Sequence, residues 1–182
     1  WVTESLPGGG EPEYDAEIMD ILQKSRPYAQ SLLENGDHSV PDRLRLLLMY
    51  SYHVQAAIDG AEIAGFDPAA ALAEAAQFAG PGDAGTLAEY YLGLEILTER
   101  WREKLAAPGA PDWEAGLCRI ARYGVDRHWL QAVSDWDLCG RIKLLLSGCV
   151  LLARLPGELV ENAQLWSKEI ENSADNLDAL LD

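Results

Sequence analysis

The chain has 182 residues, of which 48% are hydrophobic and 24% charged, a composition that suits one globular domain with a sizeable core. Its 30 acidic and 14 basic residues give a net charge of -16, which disfavours binding to DNA, RNA and anionic membranes because like charges repel. A basic protein surface is the partner that this charge would attract, although solubility alone is the simpler explanation of the acidity. Abundant Leu and Ala predict an all-α fold without a sheet.

Residues 1–13 hold three consecutive glycines and two prolines among acidic residues, and they predict a flexible acidic linker or lead-in. The glycines are not followed by the Lys-Ser/Thr pair of a phosphate-binding loop. We expect residues 14–182 to form a single helical domain. A candidate internal break lies at 106–112, where Pro108-Gly109-Ala110-Pro111 interrupts the helical pattern.

Cys118, Cys139 and Cys149 stand in apolar helical segments without a Cys-x-x-Cys pair, and we predict reduced, buried thiols in a cytoplasmic protein. No signal peptide is visible, and the opening residue Trp1 suggests a fragment of a longer protein. The longest apolar run, 144–155, is too short and too interrupted for a membrane span and predicts a buried core helix.

Capping residues and apolar spacing predict four helices in the first half of the chain. They cover about 15–35, 39–58, 67–78 and 86–105. The first contains Pro27, which should kink or divide it, and ends at Asn35-Gly36 in a left-handed cap. Thr86 is the predicted cap of the fourth helix, whose inner stripe contains the aromatic residues Tyr90, Tyr91 and Trp101.

The second half predicts a helix from Asp112 to Tyr123, a turn at Gly124 into a short helix at 126–133, and a central helix to Leu155 that starts at Asp135 or Asp137. The last long helix should run over 158–171, with Ser173 capping a short terminal helix. Eight or nine helices joined by short loops predict an irregular bundle.

Catalytic motifs are absent from the sequence. The histidines have neither the Glu-x-x-His pairs of a di-metal bundle nor a His-Glu-x-x-His motif, so we predict no metal site. His53 and His128 are candidate polar site residues, but a hydrogen-bonded core or boundary histidine is the favoured alternative for both. We expect Glu158 and Glu161 to be solvated near a helix start, and the cysteines to be structural.

The most distinctive stretch is the signature segment, residues 167–177, with the sequence SKEIENSADNL. Its physical interpretation is a helix end followed by a new cap at Ser173. Lys168 should be exposed and form an ion pair with Glu171 or Glu161, a contact that contributes about 0 to 1 kcal/mol.

The signature segment resembles the C-terminal motif of the bacterial flagellin lysine N-methylase family. The resemblance rests on one set of residues: Ser167, Lys168, Glu169, Ile170, Glu171, Ser173, Asn176 and Leu177. The segments 18–33 and 39–48, the second with Asp42-Arg43-Leu44, resemble a pair of helices of the same family and make Arg43 a further candidate. Asn172 stands where the family usually has His, and the family's N-terminal cysteine cluster is absent.

The resemblance implies the C-terminal helical part of a protein whose relatives methylate flagellin lysines with S-adenosylmethionine. S-adenosylmethionine and an iron-sulfur cluster would then belong to a longer parent protein, and we expect no cofactor in this chain and no catalysis by it. A free-standing helical adaptor that binds another protein is the alternative. A sensor with an apolar pocket along the Tyr90, Tyr91 and Trp101 stripe is a third hypothesis.

Overall fold

A computed structural model of the protein describes residues 14–78 and 84–181. The predicted linker at 1–13 lies outside the described residues. Within these ranges the backbone forms nine α-helices, a 3-10 turn and a π turn without any strand, which confirms the all-α prediction. The helices are α1 Ala16–Glu34, α2 Val40–Ile58, α3 Pro68–Gln77, α4 Ala84–Leu92, α5 Glu99–Leu105, α6 Gly116–His128, α7 Leu138–Leu152, α8 Leu159–Trp166 and α9 Ala174–Leu181. The 3-10 turn is Trp129–Val133, and the π turn is Ser167–Glu171.

Helix α7 is the centre of the fold, because apolar residues are buried around much of its circumference. The apolar run at 144–155 predicted a buried core helix in this part of the chain. Helix α7 packs against α2, α6 and the 3-10 turn on one side and against α4, α8 and α9 on the other, and we name two helical groups after these two sides. The first helical group contains α1, α2, α3, α6 and the 3-10 turn. The second helical group contains α4, α5, α8, the π turn and α9. Helix α7 contacts both groups, and α6 also meets the π turn directly.

Several predicted helix starts are confirmed by their hydrogen bonds. The side chains of Asp15, Ser39, Asp67 and Asp137 accept bonds from backbone N–H groups in the first turns of α1, α2, α3 and α7. Ser173 accepts a bond from the N–H of Asn176 at 3.3 Å, as its predicted role as the cap of α9 requires.

The predicted end of the first helix is wrong in its geometry. Asn35 is extended, with φ -66° and ψ 105°, instead of left-handed. Its side chain accepts a bond from the N–H of Asp37, and Arg43 donates to the carbonyls of Leu33 and His38. These side chains bond to backbone groups at the turn between α1 and α2, which therefore forms without a left-handed glycine cap. Pro27 lies inside α1 and does not divide it.

The predicted single helix at 86–105 is also wrong, because it is interrupted between α4 and α5. Thr98 caps α5 and accepts a bond from the N–H of Trp101. Tyr90 does not belong to an inner stripe: its ring is largely exposed, and its hydroxyl donates to the carbonyl of Ala179 in α9. The cause of the interruption is the signature segment, described below.

The segment before α6 is held by the end of α7. Gly109 N–H donates to the carbonyl of Arg154 at 2.8 Å, and Asp112 N–H donates to that of Ala153 at 2.6 Å. Asp112 therefore does not cap α6, which begins at Gly116. The buried apolar residues on both sides of 106–112 belong to one hydrophobic cluster.

Gly124 lies inside α6 and does not start a turn. A Cβ at this position would lie 2.3 Å from Leu145 Cδ1, so the missing side chain allows α6 to approach α7. The short helix predicted at 126–133 is the end of α6 followed by the 3-10 turn. The central helix ends at Leu152, before the predicted Leu155, and the predicted helix 158–171 divides into α8 and the π turn.

Candidate functional site

The signature segment begins where α8 loses its regular hydrogen bonds. Asn172 N–H donates to the carbonyl of Ser167, five residues earlier, at 3.1 Å. This wider π turn directs both Glu169 and Ile170 into the protein, where each is fully buried. Five polar residues of the segment consequently form two separate hydrogen-bonded clusters, which are Glu169, Ser173 and Asn176 in one and Ser167 and Glu171 in the other.

The first cluster joins the signature segment to the interruption between α4 and α5. Glu169 has 0% exposure, and its carboxylate accepts bonds from the Leu97 N–H at 2.7 Å and the Thr98 hydroxyl at 2.5 Å. No ion-pair partner of Glu169 occurs among the described residues. Backbone and hydroxyl donors therefore satisfy this buried carboxylate.

Asn176 extends this cluster by bonding to the backbone of Glu95 in this loop and of Glu169 in the π turn. Its amide nitrogen donates to the carbonyls of Glu95 and Glu169 at 2.9 and 2.8 Å, and its amide oxygen accepts from the Glu95 N–H at 2.9 Å. Ser173 donates to the carboxylate of Glu95 at 3.5 Å. These side chains satisfy backbone groups of residues 95–97 that a continuous helix would have paired, and this explains the interruption.

The second cluster lies where the π turn meets the end of α6. The Ser167 hydroxyl donates to Glu171 Oε2 at 2.6 Å, and His128 Nε2 lies 3.2 Å from Glu171 Oε1. Arg127 approaches the same carboxylate at 3.8 Å, and His128 Nδ1 lies 3.1 Å from Gln131 Oε1. The Glu171 side chain is almost fully buried.

Electrostatics keep Glu171 charged. Burial alone would raise the pKa of this carboxyl group. The hydrogen bonds that it accepts from His128 and Ser167, together with the nearby positive charge of Arg127, outweigh burial, and the pKa lies below its ordinary value of 4.5. A charged carboxylate of this kind fixes the orientation of both the serine and the histidine.

Neither cluster has the geometry of a nucleophilic site. Ser167 donates to a carboxylate, whereas a catalytic serine donates to the imidazole that removes its proton. The three cysteines are free and buried, as predicted. Burial raises the pKa of Cys149 to about 12 and also raises the pKa values of Cys118 and Cys139, so their reactive thiolate forms are disfavoured at neutral pH.

A groove of about 450 Å³ lies beside the second cluster, between α6 and α8 and over Leu145 of α7. Its apolar lining includes Ile120, Tyr123, Leu145, Leu159, Val160 and Ala163. Glu114 and Glu158 lie near the starts of α6 and α8, and Ser167 and Glu171 follow the end of α8. Two residues of the signature segment therefore line this groove, while Glu169, Ser173 and Asn176 bond to the loop between α4 and α5.

The remaining sequence candidates lie elsewhere. Arg43 supports the turn between α1 and α2, as described above. His53 is half-buried and stacks on Tyr50 with ring centroids 6.1 Å apart, in an aromatic group with Phe66. This group lines a second cavity of about 530 Å³ in the first helical group. Only His128, among the candidates outside the signature segment, joins the second cluster.

The predicted ion pair of Lys168 is absent from the described residues, although the side chain is exposed as expected. Glu171 bonds to the second cluster, and Glu161 pairs with Arg100 and with Lys104. Both predicted partners are therefore occupied by other groups.

Sequence reasoning missed several partners of the signature residues. Thr98 carries a helix-cap signal of its own, since it precedes the acidic first turn of α5. Leu97, Glu95 and Arg127 carry no comparable local signal. In the stripe named by the sensor hypothesis, Tyr91 and Trp101 are fully buried with ring centroids 6.5 Å apart, whereas Tyr90 lies at the surface.

No described helix combines the length and the apolar character needed to cross a bilayer. Among the described residues, no three His, Cys, Asp or Glu side chains are grouped as metal ligands. No protein-family model, curated protein or solved structure matches the chain.

Proposed function

We propose that this chain is the C-terminal substrate-recognition and scaffold part of a protein lysine methylase similar to the flagellin lysine N-methylases. One observation carries the proposal: apart from the exposed Lys168, the polar residues that bear the resemblance are also those that build the two clusters. Ser167 and Glu171 help to form the groove, while Glu169, Ser173 and Asn176 fix the loop between α4 and α5. A motif in which five of the polar side chains have structural partners supports a role in shaping a surface.

In this proposal the chain itself does not catalyse methyl transfer. S-adenosylmethionine and an iron-sulfur cluster would be held by another part of a longer parent protein. The contribution of the helical part is to bind the protein substrate. Its net charge of -16 favours a lysine-bearing substrate such as flagellin through long-range attraction.

Binding and methylation of flagellin test this proposal together. The purified chain is immobilised, and unmethylated flagellin is passed over it at about 50 mM and about 500 mM salt, because salt screens charge attraction. We expect reversible binding that weakens at the higher salt. Flagellin with acetylated lysines is the matched control and should bind more weakly, since acetylation removes the positive charge.

Mass spectrometry of flagellin incubated with the chain and S-adenosylmethionine should detect no added methyl group. Methylation by the chain alone would contradict the non-catalytic role. Equal binding of native and acetylated flagellin, or no binding of either, would contradict substrate recognition.

One observation favours the adaptor alternative. Trp136 is 55% exposed and has φ 61°, a backbone conformation that is unfavourable for a large side chain. Gln55 fixes this turn: it donates to the Trp136 carbonyl at 2.8 Å and accepts from the N–H groups of Leu138 and Cys139. An exposed tryptophan on a fixed turn suits a protein contact.

The genomic reading frame separates these two functions. A cysteine-rich segment encoded upstream of Trp1 in the same frame would favour the methylase. A start codon immediately before Trp1 would favour the adaptor, and a Trp136→Ala variant would then identify whether this turn makes the contact.

A further inference from the structure

The geometry points to the groove between α6 and α8 as the docking site for a lysine side chain of a partner protein. This inference rests on the proposed function for the identity of the partner, and it adds the surface that binds it. The partner's lysine stem would lie along the apolar lining, with its ammonium group at a carboxylate.

The shape of the groove suits a narrow, flexible side chain. It follows α6 from Gly116 to Tyr123, a length of about 10 Å at 1.5 Å per residue. Val160 is 70% exposed and Tyr123 is 58% exposed, so the lining offers apolar surface to a partner. Lysine places a four-carbon apolar stem on such a surface while its charge stays near water or a carboxylate.

The charges that line the groove are predominantly negative. Glu114, Glu158 and Glu171 contribute three carboxylates, against the single guanidinium of Arg119 among the described lining residues. Neither Glu114 nor Glu158 has an ion-pair partner in the described part of the chain. These two carboxylates can therefore pair with an incoming ammonium group without breaking an existing ion pair.

The groups around Glu171 make the other end of the groove less suitable for the ammonium group. Its carboxylate already accepts from Ser167 and contacts His128, and Arg127 lies 3.8 Å away. We therefore assign the ammonium group to the end with Glu114 and Glu158. An anionic ligand would meet an excess of carboxylates there, and a wholly apolar ligand would remove them from water without a partner.

A pair of synthetic peptides tests this site directly. One is an amide-capped peptide with a single lysine among alanine and leucine residues, and the other has uncharged norleucine in place of lysine. We expect the lysine peptide to shift the amide NMR signals of residues 114–124 and 158–171 and to bind more tightly than the norleucine peptide.

Substitutions at the exposed residues Val160 and Glu158 locate the contact without changing the core. Val160→Arg places a positive charge on the exposed lining and should weaken binding of the lysine peptide at least about tenfold. Phe78→Arg is the matched control, because Phe78 is 77% exposed at the end of α3, in the first helical group. The Phe78→Arg variant should bind the lysine peptide with an affinity within about twofold of that of the unchanged chain. Glu158→Lys should weaken binding more than Glu158→Gln, because it reverses the charge.

The inference is overturned if Val160→Arg binds the lysine peptide as tightly as the unchanged chain, if the norleucine peptide binds equally well, or if the NMR shifts lie outside the groove. Absence of peptide binding would also overturn the inference.

Flagellin binding distinguishes failure of this inference from failure of the proposed function. If flagellin still binds to Val160→Arg with full affinity, substrate recognition survives and the groove is excluded. If the peptide binds in the groove but flagellin does not bind, the groove survives and the proposed function is excluded.

Discussion

The two helical groups on α7 are stabilised in different ways. In the first group, the buried polar residues Ser25 and Ser51 donate to carbonyls of their own helices, and most of the interior is apolar or aromatic. The second group has more buried polar residues, which are Lys104, Asn162, Glu169, Ser173 and Asn176. Several of these bond across elements, as Lys104 does to the carbonyl of Pro156 at 2.7 Å.

This difference shows which interactions determine the course of the backbone in each group. Apolar packing stabilises helices whose bounds their own caps already define, and it tolerates changes that conserve volume. A broken path, such as the loop between α4 and α5, needs specific partners for the backbone groups that leave the helix. The first group should therefore respond to lost volume, and the second to lost hydrogen bonds.

The largest expected effect is in the first group, at Trp129. The indole is fully buried, stacks on Tyr50 with centroids 6.1 Å apart, and donates to the Ser25 hydroxyl at 3.1 Å. Trp129→Ala should lower the free energy of unfolding by about 4 kcal/mol, as measured by urea denaturation. Trp129→Phe retains much of the volume and loses the hydrogen bond, so its cost should be about 1 to 2 kcal/mol. Equal costs for the two variants would contradict the expectation that lost side-chain volume matters more here than the lost hydrogen bond.

In the second group, Glu169→Ala should lower the free energy of unfolding by about 3 kcal/mol. The substitution leaves the Leu97 N–H and the Thr98 hydroxyl without their acceptor in a buried site. Glu169→Gln, the matched variant, keeps one acceptor oxygen and the same shape, so its cost should be about 1 kcal/mol. Hydrogen exchange should show faster exchange of the amides at 95–98 in Glu169→Ala. Unchanged exchange there would mean that the carboxylate does not hold the loop.

Two glycine substitutions compare how closely α7 approaches each group. A Cβ at Gly148 would lie 2.6 Å from Cζ2 of the rigid Trp166 indole, whereas a Cβ at Gly124 would meet the end of the flexible Leu145 side chain. Gly148→Ala should therefore cost about 1 kcal/mol after the gain in helix propensity. Gly124→Ala should cost less in the same urea measurement. A larger cost at Gly124 would show that Leu145 cannot move aside.

The smallest expected effect is a pH dependence at Glu171. Its pKa is lower in the folded protein than its ordinary value of 4.5, so its contribution to stability is present above that value and is lost as the pH falls through the lower folded value. Between pH 7 and acid pH, the unchanged chain should therefore lose more stability than Glu171→Gln does. Glu158→Gln, which removes an exposed carboxylate, is the control and should follow the unchanged chain. If the free energy of unfolding fell equally with pH in all three proteins, the contribution of Glu171 to this pH dependence would be excluded.

Local sequence signals could predict much of the first helical group. Asp15 and Ser39 cap helices as predicted, and the apolar spacing of α1 and α2 identifies buried residues such as Leu22 and Leu47. These features depend on residues within a few positions of each other. Gly124 is the exception, because its role depends on Leu145 in another helix.

The second group could not be predicted in the same way. The sequence at 86–105 has the spacing of one helix, and its interruption depends on Glu169 and Asn176, which lie more than seventy residues further along the chain. Local spacing also gives no reason to bury Glu169, because the donors that satisfy it belong to that interruption. The resemblance drew attention to the signature segment, but the partners of Glu169 and Asn176 could be recognised only from the fold.

The π turn fixes the number of residues in the signature segment. Removing one residue, for example the exposed Lys168, would restore an ordinary helical turn and rotate every later side chain by about 100° relative to α8. Glu169 and Glu171 would then both turn away from their hydrogen-bond partners. Proteins that share this architecture should therefore vary in residue type at the exposed positions 168, 172, 174 and 175, while insertions and deletions between 167 and 176 should be excluded.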